Sequence, residues 1–254
     1  VFNRSFNDFS NIAFRGNSYE TLEAYARKVE TRVDKKTRVE TRTIISSPDE
    51  LAAATLEGFT VTEDMLGNYS QTTYGRTAPS RSSEETPDGL YHLHFVPKKL
   101  TREVSAVLHI EGLNNIRSAT CRLGGVAESI FLATGKTSAN TVTQEFTPSN
   151  PEFSPGSPFN GTLSCEFEIF GLNVIDNNNL HLDALLVDGK TEFEGDCTNV
   201  KITENDDGTG SVTLILEAST EKVPDVKPEG GAGSGFDVDV DGWGNEINTD
   251  IPIN

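Results

Sequence analysis

Apolar and polar residues alternate along most of the chain that follows Gly89. A period of two is typical of a β-strand with one buried face, because successive side chains of a strand point to opposite sides. Each run is short and is bounded by turn residues, so the pattern predicts an antiparallel β-sandwich without intervening helices. The apolar positions of these runs are Tyr91, Leu93, Phe95, Val104, Ala106, Leu108, Ile110, Leu163, Cys165, Phe167, Ile169, Leu180, Leu182, Ala184, Leu186, Val212, Leu214 and Leu216. The predicted turns are Gly112–Asn115, Asn160–Gly161, Asp176–Asn179 and Asp206–Gly208.

The first 60 residues show a different pattern, with two signals for the start of a helix. Asn17 lies three residues before Glu20, and Ser47 is followed by Pro48 and two acidic residues. Both arrangements are typical of a capped helix N-terminus. The sequence therefore predicts two short helices, which begin after Asn17 and after Ser47. The charged and β-branched segment Lys28–Arg42 is interpreted as an exposed loop or an edge strand.

A linker separates the two patterns. Residues 67–88 lack an apolar period and are rich in Ser, Thr, Gly and Pro, as linkers are. We therefore expect an N-terminal domain over residues 1–88, which includes the two short helices and the linker. A C-terminal β-sandwich domain is expected over residues 89–254. Because 35% of the residues are hydrophobic, the chain has enough apolar side chains for one large core or two modest ones.

The overall charge excludes one class of partner. The 254 residues include 21 Lys and Arg against 39 Asp and Glu, which gives a formal net charge of −18. Proteins that bind nucleic acids neutralise phosphates with a basic face, so nucleic acid is not an expected partner. No apolar stretch approaches the roughly 18 to 20 residues of a membrane span. We expect any export signal to have been removed or to lie outside this sequence.

Two patterns resemble metal sites without completing one. His92, His94 and His109 lie on neighbouring predicted strands and could approach one another as zinc ligands, but no fourth ligand has a convincing spacing. The run Asp237–Gly242 resembles the opening of a calcium loop, yet its twelfth position is Asn248, where the motif needs Glu. A strand whose acidic residues face water is the simpler interpretation of that run.

No candidate catalytic residue emerges. Cys121, Cys165 and Cys197 lie among apolar neighbours, which favours buried, unreactive thiols over a nucleophile. A disulfide between Cys165 and Cys197 stays open at this stage. The chain has no Gly-x-Ser-x-Gly motif, and paired acidic residues are too frequent to indicate an acid–base couple. The sequence predicts that the protein is not an enzyme and has no catalytic residue, no cofactor and no metal site.

A tethered strand is predicted at the C-terminus. Residues 229–235 include four Gly, one Ala and one Ser, which indicates a flexible tether. The next residues alternate between apolar and acidic side chains, as in a strand that can complete its own sheet or that of a neighbour. An ordinary final strand, which never leaves its own domain, is the alternative. The candidate assembly strand and its anchors are Phe236, Val238, Val240, Trp243, Ile251 and Ile253.

Five segments of the chain have distinctive strand and turn patterns, namely Ile12–Thr21, Pro87–Leu93, His109–Ile116, Gly235–Trp243 and Thr249–Ile253. They resemble segments of the Bacteroides-type fimbrillin-like surface lipoproteins, in a branch of uncharacterised function. These segments are strand and turn patterns rather than catalytic signatures, and the resemblance covers nearly all of the chain. It implies tandem transthyretin-like Greek-key β-sandwiches. The first sandwich is expected to be incomplete, because Val1–Asn3 resembles the end of a strand partway through it.

The same resemblance implies a function at the cell surface. It implies export to the outer-membrane surface or a fimbrium, and a fimbrial (pilus) structural, tip or accessory subunit with a role in adhesion. The implied partners are other fimbrial subunits, joined by strand addition, and a host or bacterial surface receptor. A membrane would be reached only through a lipid anchor outside this chain. The alternatives are a glycan-binding surface lipoprotein for nutrient capture, to which an exposed Trp243 would contribute, and an accessory domain of a secreted enzyme.

Overall fold

The computed structural model describes residues 1–33, 41–56, 58–61, 93–173, 178–206 and 212–228. Within these ranges the chain forms sixteen β-strands and two 3₁₀ helices, Phe6–Asp8 and Leu113–Asn115. The strands before residue 60 are β1 (Ile12–Arg15), β2 (Glu23–Ala26), β3 (Lys28–Val33), β4 (Thr41–Ile45) and β5 (Ala52–Ala53). The later strands are β6 (Lys98–Lys99), β7 (Arg102–Glu111), β8 (Ile116–Ala127), β9 (Ser129–Phe131), β10 (Thr141–Phe146), β11 (Asn150–Phe153), β12 (Asn160–Ile169), β13 (Leu180–Leu186), β14 (Glu192–Asp196), β15 (Thr198–Asp206) and β16 (Val212–Ser219).

Two large sheets form a sandwich. One has six strands in the order β14-β13-β8-β10-β4-β3, and the other has five in the order β11-β12-β7-β16-β15. Neighbouring strands are antiparallel except for the parallel pairs of β4 with β10 and of β7 with β16. Smaller sheets are formed by β1, β2 and β9 and by β5 and β6. The prediction of a mainly β, sandwich-like fold is confirmed.

The core lies between the two large sheets and follows the predicted alternation. The even-numbered apolar residues of β7 and of β13, from Val104 to Ile110 and from Leu180 to Leu186, are all buried. Phe146 of β10 stacks on Phe167 of β12, with ring centroids 4.3 Å apart, and so joins one sheet to the other. Each of these strands therefore buries one row of side chains and presents the other row at the surface.

The prediction of two short helices near the N-terminus is wrong. The residues after Asn17 form a turn between β1 and β2, in which the Leu22 N–H donates to the Ser18 carbonyl at 2.9 Å. The chain after Ser47 is extended, and the Ser47 hydroxyl accepts a hydrogen bond at 2.9 Å from the N–H of Glu168 in β12. Asn17 therefore lies at the start of a turn, and the Ser47 side chain bonds to a distant strand. No helix in the described ranges is long and apolar enough to span a membrane.

Several local predictions have different outcomes. In the predicted strand over 91–96, residues 91 and 92 lie outside the described residues, and 93–97 are irregular rather than extended in a sheet. Asn160 and Gly161 begin β12 instead of forming a turn. Gly112–Asn115 is a turn, as predicted, and contains the second 3₁₀ helix. Within the segment 28–42, β3 is an edge strand. The linker at 67–88 and parts of the turns at 176–179 and 206–208 lie outside the described residues.

The strands of the first 60 residues share sheets and core with the later strands. The predicted boundary between residues 88 and 89 itself lies outside the described residues. On either side of it, however, β4 pairs with β10, and β2 pairs with β9. Phe9, Ile12, Ile45 and Leu51 belong to the same buried cluster as the residues between the two large sheets. Residues 1–53 therefore contribute to the sandwich that 98–219 form.

The segment after β16 is fixed to the end of β7. Thr220 donates its N–H to the His109 carbonyl at 3.1 Å, and Val223 donates to Glu111 at 2.9 Å. The Val223 side chain is fully buried, and its carbonyl lies against Gly112. Gly112 has a φ of +89°, and a Cβ at this position would lie 2.8 Å from the Val223 carbonyl oxygen. The turn therefore needs glycine for its backbone conformation and for this close contact.

Replacing Gly112 with alanine should destabilise the protein by at least about 2 kcal/mol, because both the left-handed conformation and the clash with Val223 are costly. Gly156→Ala is the matched control, since Gly156 has a φ of +79° but nothing within 4 Å of the added Cβ. We expect the control to cost about 1 kcal/mol. Urea unfolding of both variants measures the difference. Equal losses for the two variants would show that the segment after β16 does not restrict Gly112.

Candidate functional site

The outer face of the six-stranded sheet has a polar concavity over β8, β13 and β14. Alternate residues of β8 and β13 point away from the core, because their neighbours in sequence are buried in it. In β14, the exposed Glu192 and Glu194 flank the partly buried Phe193. The concavity has a volume of about 280 Å³. It is lined by Ser118, Thr120 and Arg122 of β8, Asp183, Ala184 and Leu185 of β13, and Glu192, Phe193 and Glu194 of β14.

Strand register places the charged residues of this face in two rows. His181 lies opposite Arg122 on one side and opposite Asp196 on the other. In the next row, Asp183 lies between Thr120 and Glu194. Directly opposite side chains of neighbouring strands are about 5 Å apart at Cβ, so each row brings its polar groups into contact.

Arg122 and His181 each contact two carboxylates. Arg122 Nε donates to Glu145 Oε2 at 3.1 Å, and its Nη1 forms an ion pair with Asp183 Oδ2. His181 Nδ1 lies 2.9 Å from Asp196 Oδ1, and its Nε2 lies 3.3 Å from Asp183 Oδ1. Asp183 is thus the residue that connects the arginine to the histidine.

Acidic groups outnumber basic ones at this face. One guanidinium and one imidazole lie among five carboxylates, so the field of the face favours a cationic ligand over an anionic one. The carboxylates are those of Glu145, Asp183, Glu192, Glu194 and Asp196.

The histidines singled out in the sequence are elsewhere. His92 lies outside the described residues, His94 is exposed in the irregular segment before β6, and His109 is exposed on β7, in the other large sheet. His181, Asp183 and the acidic residues of β14 were not predicted as site residues from the sequence. The available signal was the alternation of these polar residues with buried ones in two consecutive runs.

The three cysteines are free thiols held in the neutral form. Burial, and then the nearby Glu166, raises the pKa of Cys165 to about 11. Burial, and then Asp196, raises the pKa of Cys197 to about 11, and burial also raises the pKa of Cys121. Cys165 and Cys197, whose pairing the sequence left open, are two separate thiols in the structure. A reactive cysteine needs a lowered pKa, so these groups do not have the properties of nucleophiles.

The predicted assembly strand lies outside the described residues, as do all of its named residues from Phe236 to Ile253. The described chain ends at residue 228, five residues after the buried Val223.

The fold and the acidic face define a β-sandwich protein with a polar concavity on one sheet. Residues 1–147 match the family described as "Domain of unknown function (DUF5119)", and the chain belongs to this family. No curated protein matches the sequence. A crystal structure of a candidate adhesin from Bacteroides ovatus ATCC 8483 is similar over 77% of this chain and 62% of its own length, with 15% identity and a TM-score of 0.46. The chain thus spans less than two thirds of that protein.

Proposed function

We propose that this protein is an exported, non-enzymatic subunit of a cell-surface fimbrium, in a structural, tip or accessory position, with a role in adhesion. Its partners would be other fimbrial subunits, which join by strand addition, and a host or bacterial surface receptor. The proposal extends the sequence resemblance to fimbrillin-like lipoproteins. The observation that carries it is β15, an edge strand of the sheet that the described residues form, considered together with the alternating segment predicted after residue 235.

The described edges of the two large sheets are β3, β11, β14 and β15, of which β15 is the longest and β3 has six residues. β15 has nine residues, whereas β11 has four and includes Pro151, which has no N–H to donate. The edge strand β14 has five residues, and Glu192, Glu194 and Asp196 line its outer face. Short length, proline and dense charge are the devices that protect an edge from pairing, so β11 and β14 are the protected edges.

The two faces of β15 complement the predicted assembly strand. Val200 and Ile202 pack partly against the core, and Glu204 and Asp206 continue the same row as exposed acidic residues. An added strand could extend the apolar part of this row with Phe236, Val238 and Val240. The opposite face of β15 presents Lys201, Thr203 and Asn205, which include no acidic residue. The three aspartates at 237, 239 and 241 would therefore meet one positive charge and no negative one on that face. On β14 the same aspartates would be repelled.

The tether is long enough for either arrangement of the strand. Residues 220–223 run beside the end of β7, which is two strands away from β15 in the same sheet. Two strand spacings are roughly 10 Å. The seven residues 229–235 can span roughly 23 Å when extended. The C-terminal segment can thus reach β15 of its own molecule or of a neighbouring one.

Assembly should depend on both the segment and the edge. Truncation after Gly235 should abolish concentration-dependent oligomers, and Lys201→Glu or Thr203→Glu should weaken them by adding negative charge next to the aspartates. Lys136→Glu makes the same charge change as Lys201→Glu at an exposed position away from this edge, and serves as the control. Analytical ultracentrifugation of the four variants and the parent protein measures the effect. Oligomers that persist unchanged after the truncation would contradict strand addition.

The glycan-binding alternative has less support from the candidate site. Sugar rings are commonly bound by stacking on an exposed aromatic side chain next to polar groups. In the described concavity the aromatic residue is Phe193, which is partly buried and packs against the core. Trp243, the residue proposed for stacking, lies outside the described residues.

A further inference from the structure

His181, Asp183 and Glu194 bring three metal-binding groups together on the outer face of the six-stranded sheet. One ligand atom of each residue, an imidazole nitrogen or a carboxylate oxygen, lies within 4.8 Å of the other two. The hairpin of β13 and β14 produces this arrangement: His181 and Asp183 are two residues apart on β13, and Glu194 is directly opposite Asp183. The backbone ladder therefore holds all three side chains on one face.

A fourth residue orients the imidazole. His181 Nδ1 lies 2.9 Å from Asp196 Oδ1, so a neutral ring that carries its hydrogen on Nδ1 donates a hydrogen bond to this carboxylate. The lone pair of Nε2 then points toward Asp183, whose Oδ1 is 3.3 Å away. A carboxylate bound to the far nitrogen is the usual second partner of a metal-binding histidine, because it fixes both the tautomer and the direction of the ring.

The two oxygens of the shielded Asp183 carboxylate have different partners. Its Oδ2 forms an ion pair with Arg122 Nη1, whereas its Oδ1 is shielded from solvent, accepts no hydrogen bond and lies 3.3 Å from His181 Nε2. Leaving a shielded carboxylate oxygen without a hydrogen bond costs free energy, and coordination of a cation would offset that cost. Arg122 opposes a cation, but it also donates to Glu145, and five carboxylates lie at this face. The local charge therefore stays negative around the cluster.

We propose that His181 Nε2, Asp183 and Glu194 bind one divalent transition-metal ion of the zinc class, and that Asp196 orients the histidine. One imidazole and two carboxylates suit Zn²⁺ and its neighbours better than Ca²⁺ or Mg²⁺, which prefer oxygen ligands alone. Three protein ligands leave at least one coordination position for water or for an acidic group of another molecule. The ion would also connect the edge strand β14 to β13. This proposal is independent of the proposed fimbrial function.

Titration of the tag-free full chain with ZnCl₂ tests the proposal. Calorimetry should give one site, and the melting temperature should rise by about 5–10 °C when free Zn²⁺ is a hundredfold above its dissociation constant. His181→Gln and Glu194→Gln should each weaken binding at least about a hundredfold, and Asp196→Asn about ten- to a hundredfold, since it removes only the orienting partner. Binding of Co²⁺ should give visible absorption without a thiolate charge-transfer band. Such a band would indicate that a cysteine coordinates the metal.

Two variants serve as matched controls. Glu152→Gln removes the same charge from an exposed position on β11, and His109→Gln removes an exposed histidine of β7, both in the other large sheet. Both should bind Zn²⁺ as the parent protein does, and circular dichroism checks that every variant is folded. Lack of Zn²⁺ binding by the parent, or equal affinity in His181→Gln and His109→Gln, would overturn the site. A thiolate band with Co²⁺ would overturn it as well.

Discussion

Replacing Phe167 with alanine is expected to lower the stability of the protein by about 3–5 kcal/mol. The Phe167 ring is buried and stacks on Phe146 at 4.3 Å with an interplanar angle of 18°, so it connects the two large sheets through the core. Its removal leaves a cavity between sheets that strand pairing holds in place on both sides. The melting temperature should fall by roughly 10 °C.

Phe159→Ala is the matched control for this substitution. This substitution removes the same number of atoms, but Phe159 is 60% exposed in the hairpin between β11 and β12. Its loss should change stability by less than about 0.5 kcal/mol. Urea unfolding curves of both variants and the parent give the comparison. If Phe167→Ala were as stable as Phe159→Ala, the two large sheets would not pack through this pair of rings.

The second large effect concerns the first strands of the chain. Residues 89–254 alone, the predicted C-terminal domain, should fail to unfold cooperatively. They lack β4, which pairs with β10, and they lose Phe9, Ile12, Ile45 and Leu51 from the shared core. Each buried side chain of this size contributes about 1.5–3 kcal/mol, so the four together approach the whole stability of a typical domain.

A nicked form of the full chain provides the control. A protease site inserted within residues 67–88 allows the chain to be cut after it has folded. Because strand pairing and the core join the two pieces, they should stay together through size-exclusion chromatography and melt as one unit. Calorimetry of residues 89–254, of the nicked form and of the intact protein distinguishes the cases. A cooperative transition of residues 89–254 at the temperature of the intact protein would establish two independent domains.

The sequence predicts best the elements that depend on local alternation. β7 and β13 are clear because a buried residue at every second position is a property of the strand itself. The error at Ser47 has the opposite origin. Its hydroxyl bonds to the backbone of Glu168, which is 121 residues away, and a local capping pattern has no information about that partner. Similarly, Ser18 and Thr21 bond to each other and close a turn instead of starting a helix.

The candidate site could be predicted only in part. His181, Asp183 and Glu194 belong to one hairpin, so the alternation of polar residues in two consecutive runs could have placed them on one face. Arg122 and Glu145 come from β8 and β10, and their contacts depend on the strand order of the sheet. Strand order results from tertiary pairing, which a single sequence does not specify. Of the three histidines predicted as possible ligands, His94 and His109 lie outside the acidic face. His92 lies outside the described residues.

Hydrogen exchange at β15 is the most direct measurement of assembly by strand addition. The amides of Thr198–Asp206 should exchange more slowly in the full chain than in the protein truncated after Gly235, and the protection should increase with protein concentration. A synthetic peptide of residues 236–254 should restore the protection to the truncated protein, whereas a peptide of the same composition in scrambled order should not. The amides of β14 serve as the internal reference, because its acidic face disfavours the added strand. Equal exchange at β15 in the full and the truncated chains, at every concentration, would contradict strand addition at this edge.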